Sequence, residues 1–255
     1  MKNNLDISLI IPAYNERAVI SGTVTSAVDY FRRRRSTFEI IVAADGDDGT
    51  RETVAALGRE NPAIRVLGEP ARRGKGRGIR EAMAQASGRI VGFIDADNKV
   101  SIEEFDNMEP WFGRGFDLVI GSRAMDESRI ERRQPLYRRV GSQGFRLVMN
   151  AVVGLPGITD SQCGFKFFTR QAGRELFRLQ QIDGYMFDVE ILALAQRLGY
   201  RVKQVPIGWR DDGDSRLQLL RGNFQNMVDL FRIRALVAGL GADIASAKRS
   251  RGMTV

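Results

Sequence analysis

The sequence predicts an α/β domain built on a mainly parallel sheet, and three observations predict it. Short apolar runs alternate with helix-periodic segments through the first half of the chain. The runs end in turn-forming or charged residues, as in "SLIIPAYNE" and "IVGFIDAD". The 255 residues suffice for one large core, and no internal repeat or low-complexity linker divides them.

Taken in order, residues 5–12 form a β-rich run and 16–34 a helix. Strand two spans 38–44 and the helix after it 49–60. Strand three is 63–68, followed by the loop and helix of 74–86, and strand four is 89–95. This alternation implies βαβ units. The second half is less regular: a strand at 116–123, a basic helical segment at 129–153 and a strand at 163–168. An amphipathic helix follows at 188–199, then a strand at 200–209. The periodicity of 215–240 predicts a helix with Leu220, Phe224, Met227 and Phe231 on its apolar side and arginines at 216, 221, 232 and 234. That helix either packs on the domain or lies at a bilayer interface.

Composition narrows the chemistry. No apolar run approaches the ~18 residues of a membrane span, and the N-terminal stretch lacks the pattern of a signal peptide, so the expected compartment is the cytoplasm. The single cysteine, Cys163, rules out an internal disulfide and is assigned to core packing. The absence of histidine removes the commonest general base and transition-metal ligand. A metal would therefore be a hard cation on oxygen, Mg²⁺ or Mn²⁺. The net charge of +8 suits a polyanionic partner: nucleic acid, an anionic membrane surface or a phosphorylated substrate. Nucleic acid is disfavoured, because no binding motif or aromatic platform accompanies the arginine clusters. The run "FRRRR" (31–35) is assigned to a solvated helix end.

In an open parallel sheet, ligands bind beyond the carboxyl ends of the strands. "PAYNE" and Asp95 share that edge. A dinucleotide site would need glycines in the first strand-to-helix turn, and "PAYNE" has none. The Walker pattern fails as well, since neither serine nor threonine follows Lys75 in register. Asp95 and Asp97, one residue apart in "IDADN", suit a divalent cation carrying phosphates, or else a plain turn or helix cap.

The order of the pieces carries a resemblance. "SLIIPAYNE", "EIIVAADGDDGT", "RRGKGRGIREAMAQASG", "IVGFIDAD", "VIGSR", "ITDSQCGFKFF", "GYMFDVEILALAQRLGYRVKQVPIGW" and "GDSRL" occur in the sequence order of family-2 glycosyltransferases. Over roughly residues 5–235 the chain resembles the dolichyl-phosphate (polyprenyl-phosphate) hexosyltransferases. "DSQCGFKFF" with "FDVE" is most similar to the glucosyltransferase branch.

The resemblance implies a glycosyltransferase A-type fold in one catalytic domain, residues 1–240. Within it, 5–122 would bind the nucleotide sugar and 123–214 the acceptor, with 241–255 a basic tail expected to be disordered. Pro12, Ala13, Tyr14, Glu16 and Asp45 match the nucleotide pocket, although the family usually has two adjacent acidic residues where this chain has "AADGDDGT". Asp95, Ala96 and Asp97 match the D-x-D motif, with Asp97 the direct metal ligand and Asp95 on the metal or the ribose. Lys99 stands where some mannosyl synthases have a glutamine. Lys75, among Gly74, Gly76 and Gly78, can approach the donor. Arg123, Arg138 and Ser142 match positions holding the acceptor phosphate, with Arg139 able to replace Arg138, and Arg210 matches an arginine that closes over the diphosphate.

The implied reaction moves a hexose, from UDP-glucose or GDP-mannose, to a polyprenyl phosphate at the inner face of the cytoplasmic membrane. A soluble hydroxyl acceptor is the alternative. A phosphate nucleophile needs no general base, because its second pKa is about 6, which would explain the missing histidine. Asp188 is left with two readings, N-cap of its helix or a catalytic or sugar-contacting carboxylate.

Overall fold

A computed structural model describes residues 5–130, 148–149, 151–210 and 221–250. Apolar stretches that are buried on both faces form the centre of a seven-stranded sheet. The first half runs β1 (Ile7–Tyr14), α1 (Arg17–Arg33), β2 (Phe38–Asp45), α2 (Thr50–Glu60), β3 (Ile64–Leu67), α3 (Lys75–Gln85) and β4 (Ile90–Ile94). These match the predicted alternation to within about two residues, the usual uncertainty of element ends. A 3₁₀ turn (Ile102–Glu104) leads into α4 (Phe105–Gly113), and β5 is Leu118–Ser122.

The second half is β6 (Arg129–Ile130), β7 (Phe165–Thr169), α5 (Arg170–Leu179), α6 (Phe187–Leu198), β8 (Val202–Pro206), β9 (Gly208–Trp209) and α7 (Arg221–Ser250). Three differences from the sequence reading stand out. Residues 129–130 pair as a strand with β9 rather than beginning a helix, and the rest of that segment through 147 lies outside the described residues. The predicted strand at 200–209 is two strands in two sheets, separated at Ile207. The last helix continues to Ser250, past the predicted boundary at 240.

Strand order is β3-β2-β1-β4-β7-β5-β8. All neighbours are parallel except β7, which runs antiparallel between β4 and β5. The chain builds outward from β1 through β2 to β3, then returns to place β4 on β1's other side. The crevice between β1 and β4 is therefore the topological switch point, where open α/β sheets bind ligands. The ladder between them ends at Ile10–Phe93, so their last residues diverge.

Alternation along the strands divides the core into two layers. Ile7, Leu9, Ile11, Phe165 and Phe167 pack with α1 and Phe105 on one face. Ile10, Phe93 and Phe168 pack with α3, α5 and α6 on the other. In α7, Leu230 and Ile233 are buried in the second layer, with Met227, Leu236 and Leu240 packed against it. Packing on the domain is thus observed for this helix. Among the described residues, no helix is long and apolar enough to cross a membrane.

Candidate active site

The carboxyl ends of β1, β2 and β4 bring the first group of predicted residues together. Tyr14 ends β1 and pairs in register with Asp45, which ends β2. Pro12 and Ala13 are buried in the strand, and Tyr14 is 41% exposed beyond it. The Arg72 guanidinium lies 4.6 Å from the centre of the Tyr14 ring. Asp45 accepts hydrogen bonds from the backbone N–H of Arg73 (2.7 Å) and Glu69 (3.4 Å), tying the loop before α3 to β2. Glu16 precedes α1 and donates its N–H to Thr50 Oγ1 (2.9 Å).

The "DGDDGT" turn departs from the family pattern, and the structure shows what its acids do. Asp48, unassigned from the sequence, accepts from the N–H (3.0 Å) and hydroxyl (2.6 Å) of Thr50 and from the N–H of Arg17 (3.0 Å). Burial pushes its carboxyl up, but these hydrogen bonds outweigh that and hold it below the ordinary range.

Asp95 follows β4 directly. Its N–H donates to Gly164 O (3.1 Å), and its Oδ1 lies 2.6 Å from Lys75 Nζ. Lys75 is the first residue of α3, entered through Gly74 at φ +111°, a conformation that favours glycine. Gly74 and Gly76 are bare because the 182–187 segment presses on them: a Cβ at Gly76 would fall 2.6 Å from Ile182 O and 2.7 Å from Phe187 Cβ. Burial alone would lower the Lys75 pKa, but the charges of Asp95 and Asp188 outweigh it and raise it. Lys75 is therefore a fixed cation at the switch point.

Ala96 is buried, and its carbonyl accepts from Thr23 Oγ1 (2.6 Å), which anchors the turn to α1. Asn98 adopts φ +52° and bends the chain back, and Asp97 lies 3.3 Å from Lys99 Nζ. Both aspartates stay about two-fifths exposed. This donor set fits a hard divalent cation, which commonly takes one or two carboxylates and completes its shell with phosphate oxygens and water. Among the described residues no cluster of three acidic, histidine or cysteine side chains forms a closed cage.

Arg210 and Arg123 reach the same edge from the second half. The Arg210 N–H donates to Lys99 O (3.0 Å), which places its exposed side chain next to the Asp97 turn. Arg123 follows β5 and is gripped by Asp160: Nε to Oδ2 is 2.7 Å, Nη2 to Oδ1 is 3.0 Å, and the Arg123 N–H donates to Oδ2 (3.0 Å). Burial raises the Asp160 carboxyl, but the bonds and charge of Arg123 outweigh this and hold it low. Asp160 was missed from the sequence, because its partner is 37 residues away. Arg138, Ser142 and the "GDSRL" segment lie outside the described residues.

The cap reading of Asp188 gives way to another role. Met186 occupies the N-cap of α6, with no side-chain cap bond. Asp188 is 4% exposed and its Oδ1 lies 2.5 Å from Nζ of Lys166, itself fully buried. Burial raises the Asp188 carboxyl above its ordinary value despite the neighbouring Lys166 and Lys75. Cys163 is core, as assigned; burial pushes its thiol up to about 12, so it stays protonated.

Comparison with known proteins agrees with this architecture. The chain is 35% identical to a dolichyl-phosphate beta-glucosyltransferase (ALG5C) of Trichomonas vaginalis, over 89% of this chain and 70% of that protein. It is 29% identical to a dolichyl-phosphate beta-glucosyltransferase of Dictyostelium discoideum, over 91% of this chain and 75% of that protein. In fold it is similar to glucosyl-3-phosphoglycerate synthase of Mycobacterium tuberculosis in complex with Mn²⁺, UDP-glucose and phosphoglyceric acid. The TM-score is 0.66 at 24% identity, covering 92% of this chain and 81% of that one. The predicted glycosyltransferase A-type fold is thereby borne out. The profile of Glycosyl transferase family 2 matches residues 8–177, about two-thirds of the sequence, and the chain belongs to that family.

Proposed function

We propose that the chain is an inverting glucosyltransferase that moves glucose from UDP-glucose to a polyprenyl phosphate such as dolichyl phosphate. The names of its relatives support the sugar and the acceptor class. One observation carries the chemistry. Asp95, Asp97, Asp160 and Asp188 face the cationic side chains of Lys75, Lys99, Arg123 and Lys166. A hydroxyl acceptor needs a base within reach of its proton. A phosphate acceptor arrives ionised and needs none.

Tyr14 and Asp45 flank the nucleotide, and Lys75 and Arg210 lie against its diphosphate. Asp95 and Asp97 would hold Mg²⁺ or Mn²⁺, which supplies charge neutralisation at the departing diphosphate. Arg123, aimed by Asp160, holds the acceptor phosphate together with Arg138 and Ser142. An acceptor phosphate oxygen attacks C1 of the glucose from the face opposite the diphosphate. The C1–oxygen bond to the β-phosphate breaks, its electron pair leaves with UDP, and no proton has to move. Positioning and fixed charge supply the rate enhancement. Arg232 and Arg234, with Phe231 at 57% exposure, give α7 a basic outer face suited to an anionic bilayer, which supports a peripheral position at the cytoplasmic face of a membrane.

Incubation with labelled UDP-glucose or GDP-mannose, polyprenyl phosphate and Mn²⁺ tests the reading. Organic-extractable label from UDP-glucose is expected, falling about 10²–10³-fold in Asp97→Asn. Label from GDP-mannose alone would overturn the sugar assignment. No extractable label from either donor would overturn the acceptor.

A further inference from the structure

The Lys166–Asp188 pair is the feature of this region that binding and transfer do not account for. Lys166, the second residue of β7, has no exposure and lies over the Phe93 ring, its Nζ 5.6 Å from the ring centre. Its ammonium donates to Asp188 Oδ1 (2.5 Å) and to Cys163 O (2.7 Å). Burying two charges is costly, and an apolar pair of similar volume commonly serves a core as well or better. The second bond gives the pair a different use. Cys163 O belongs to the turn that enters β7, and the next residue, Gly164, is the Asp95 neighbour.

Gly164 meets Asp95 twice. Its carbonyl accepts the Asp95 N–H (3.1 Å), and its missing side chain leaves room for the carboxylate: a Cβ there would fall 2.0 Å from Asp95 Oδ2. The turn therefore sets where the Asp95 carboxylate can stand. Lys166 holds the turn on one side and the first turn of α6, through Asp188, on the other. Asp188 also acts electrostatically on Lys75, the partner of Asp95. Four charges of alternating sign, Lys166, Asp188, Lys75 and Asp95, thus link the core to the candidate metal turn.

We propose that Lys166 is a positioning residue for Asp95, acting through the Cys163–Gly164 turn with Asp188 as its buried counter-ion. Asp188 is then part of the frame rather than a base that touches substrate. The inference rests on the reading that Asp95 serves a divalent cation beside the nucleotide.

Calorimetric titration of UDP with and without Mn²⁺ tests it on the full chain. In the wild type, Mn²⁺ is expected to tighten UDP binding. The double variant Lys166→Met/Asp188→Asn removes both charges, so neither is left buried alone. It is expected to hold UDP without metal within about twofold of wild type, because Tyr14 and Asp45 stand on other strands, and to lose tenfold or more of the Mn²⁺ tightening. A pair with only a structural role would leave the tightening intact in the folded variant, and that result would overturn the proposal. If the double variant does not fold, Gly164→Ala decides: it leaves the ion pair in place but intrudes on Asp95. Loss of the tightening supports the link from turn to carboxylate, and full retention overturns it. No tightening in the wild type would instead refute the metal reading itself, and this inference with it.

Discussion

Asp95 is held by Lys75 Nζ, by its own N–H on Gly164 O and by the space that Gly164 leaves open. As candidates, Asp95, Asp97, Tyr14 and Asp45 were legible in the sequence because each belongs to a short motif beside a strand end, and Lys75 because it stands in a glycine-rich loop that opens a helix. Lys166 and Asp160 were not, because their chemistry lies in partners 22 and 37 residues away. The same blindness covered Glu39, which read only as part of a strand. Glu39 is 8% exposed and accepts from Ser8 (2.6 Å), Ser87 (2.7 Å) and Arg65 (2.7 Å). Burial raises its pKa, but these bonds prevail and hold it below the ordinary value of 4.5. A depressed carboxylate contributes stability above its unfolded pKa and loses that contribution as pH falls through the folded one. Glu39→Gln is expected to cost about 1–3 kcal/mol at pH 7 and to flatten the loss of stability below about pH 4.5. Urea unfolding at a series of pH values checks this. Curves that stay parallel into acid would contradict it.

Among the elements, the βαβ half follows directly from hydrophobic period, which is why its strands and helices lie close to their predicted places. The strand at 163–168 was visible as an apolar run, but its antiparallel slot between β4 and β5 was not, since only tertiary pairing decides direction. α5 escaped the sequence reading, and α4 entered it only as the helix that the Asp95–Asp97 turn would cap. α4 is nine residues long with Pro110 inside it, and α5 follows β7 without a break. The glycines of the Lys75 loop were read as access for a donor, whereas the structure adds a packing reason for two of them. Glu190, buried in α6, accepts from the N–H of Gln181 (2.7 Å) and Ile182 (2.9 Å) and fixes the segment that presses on Gly76. Gly76→Ala should push α3 away from that segment and carry Lys75 with it. The expected outcome is a protein destabilised by about 1–3 kcal/mol with donor KM raised severalfold. Thermal melts with donor titrations check it, and unchanged values for both would show that the loop has slack.

Across the whole molecule, the net charge of +8 is not spread without purpose. Arg123 and Arg210 converge on the edge that carries Asp95, Asp97 and Lys75, while α7 turns an apolar side inward and arginines outward. Composition suits an anionic partner, but it does not bring together the residues proposed for a diphosphate and those proposed for a lipid phosphate. Strand order does that, setting β1 beside β4 and bringing β5 within reach through β7. The central claim is that this crevice gathers a nucleoside diphosphate and a divalent cation on the Asp95–Asp97 turn. A crystal structure of the full chain with UDP and Mn²⁺ tests it most directly. Manganese is expected on Asp97, with the diphosphate beside Lys75 and Arg210 and the uracil between Tyr14 and Asp45. Manganese and nucleotide bound elsewhere, with both aspartates still facing their lysines, would contradict it.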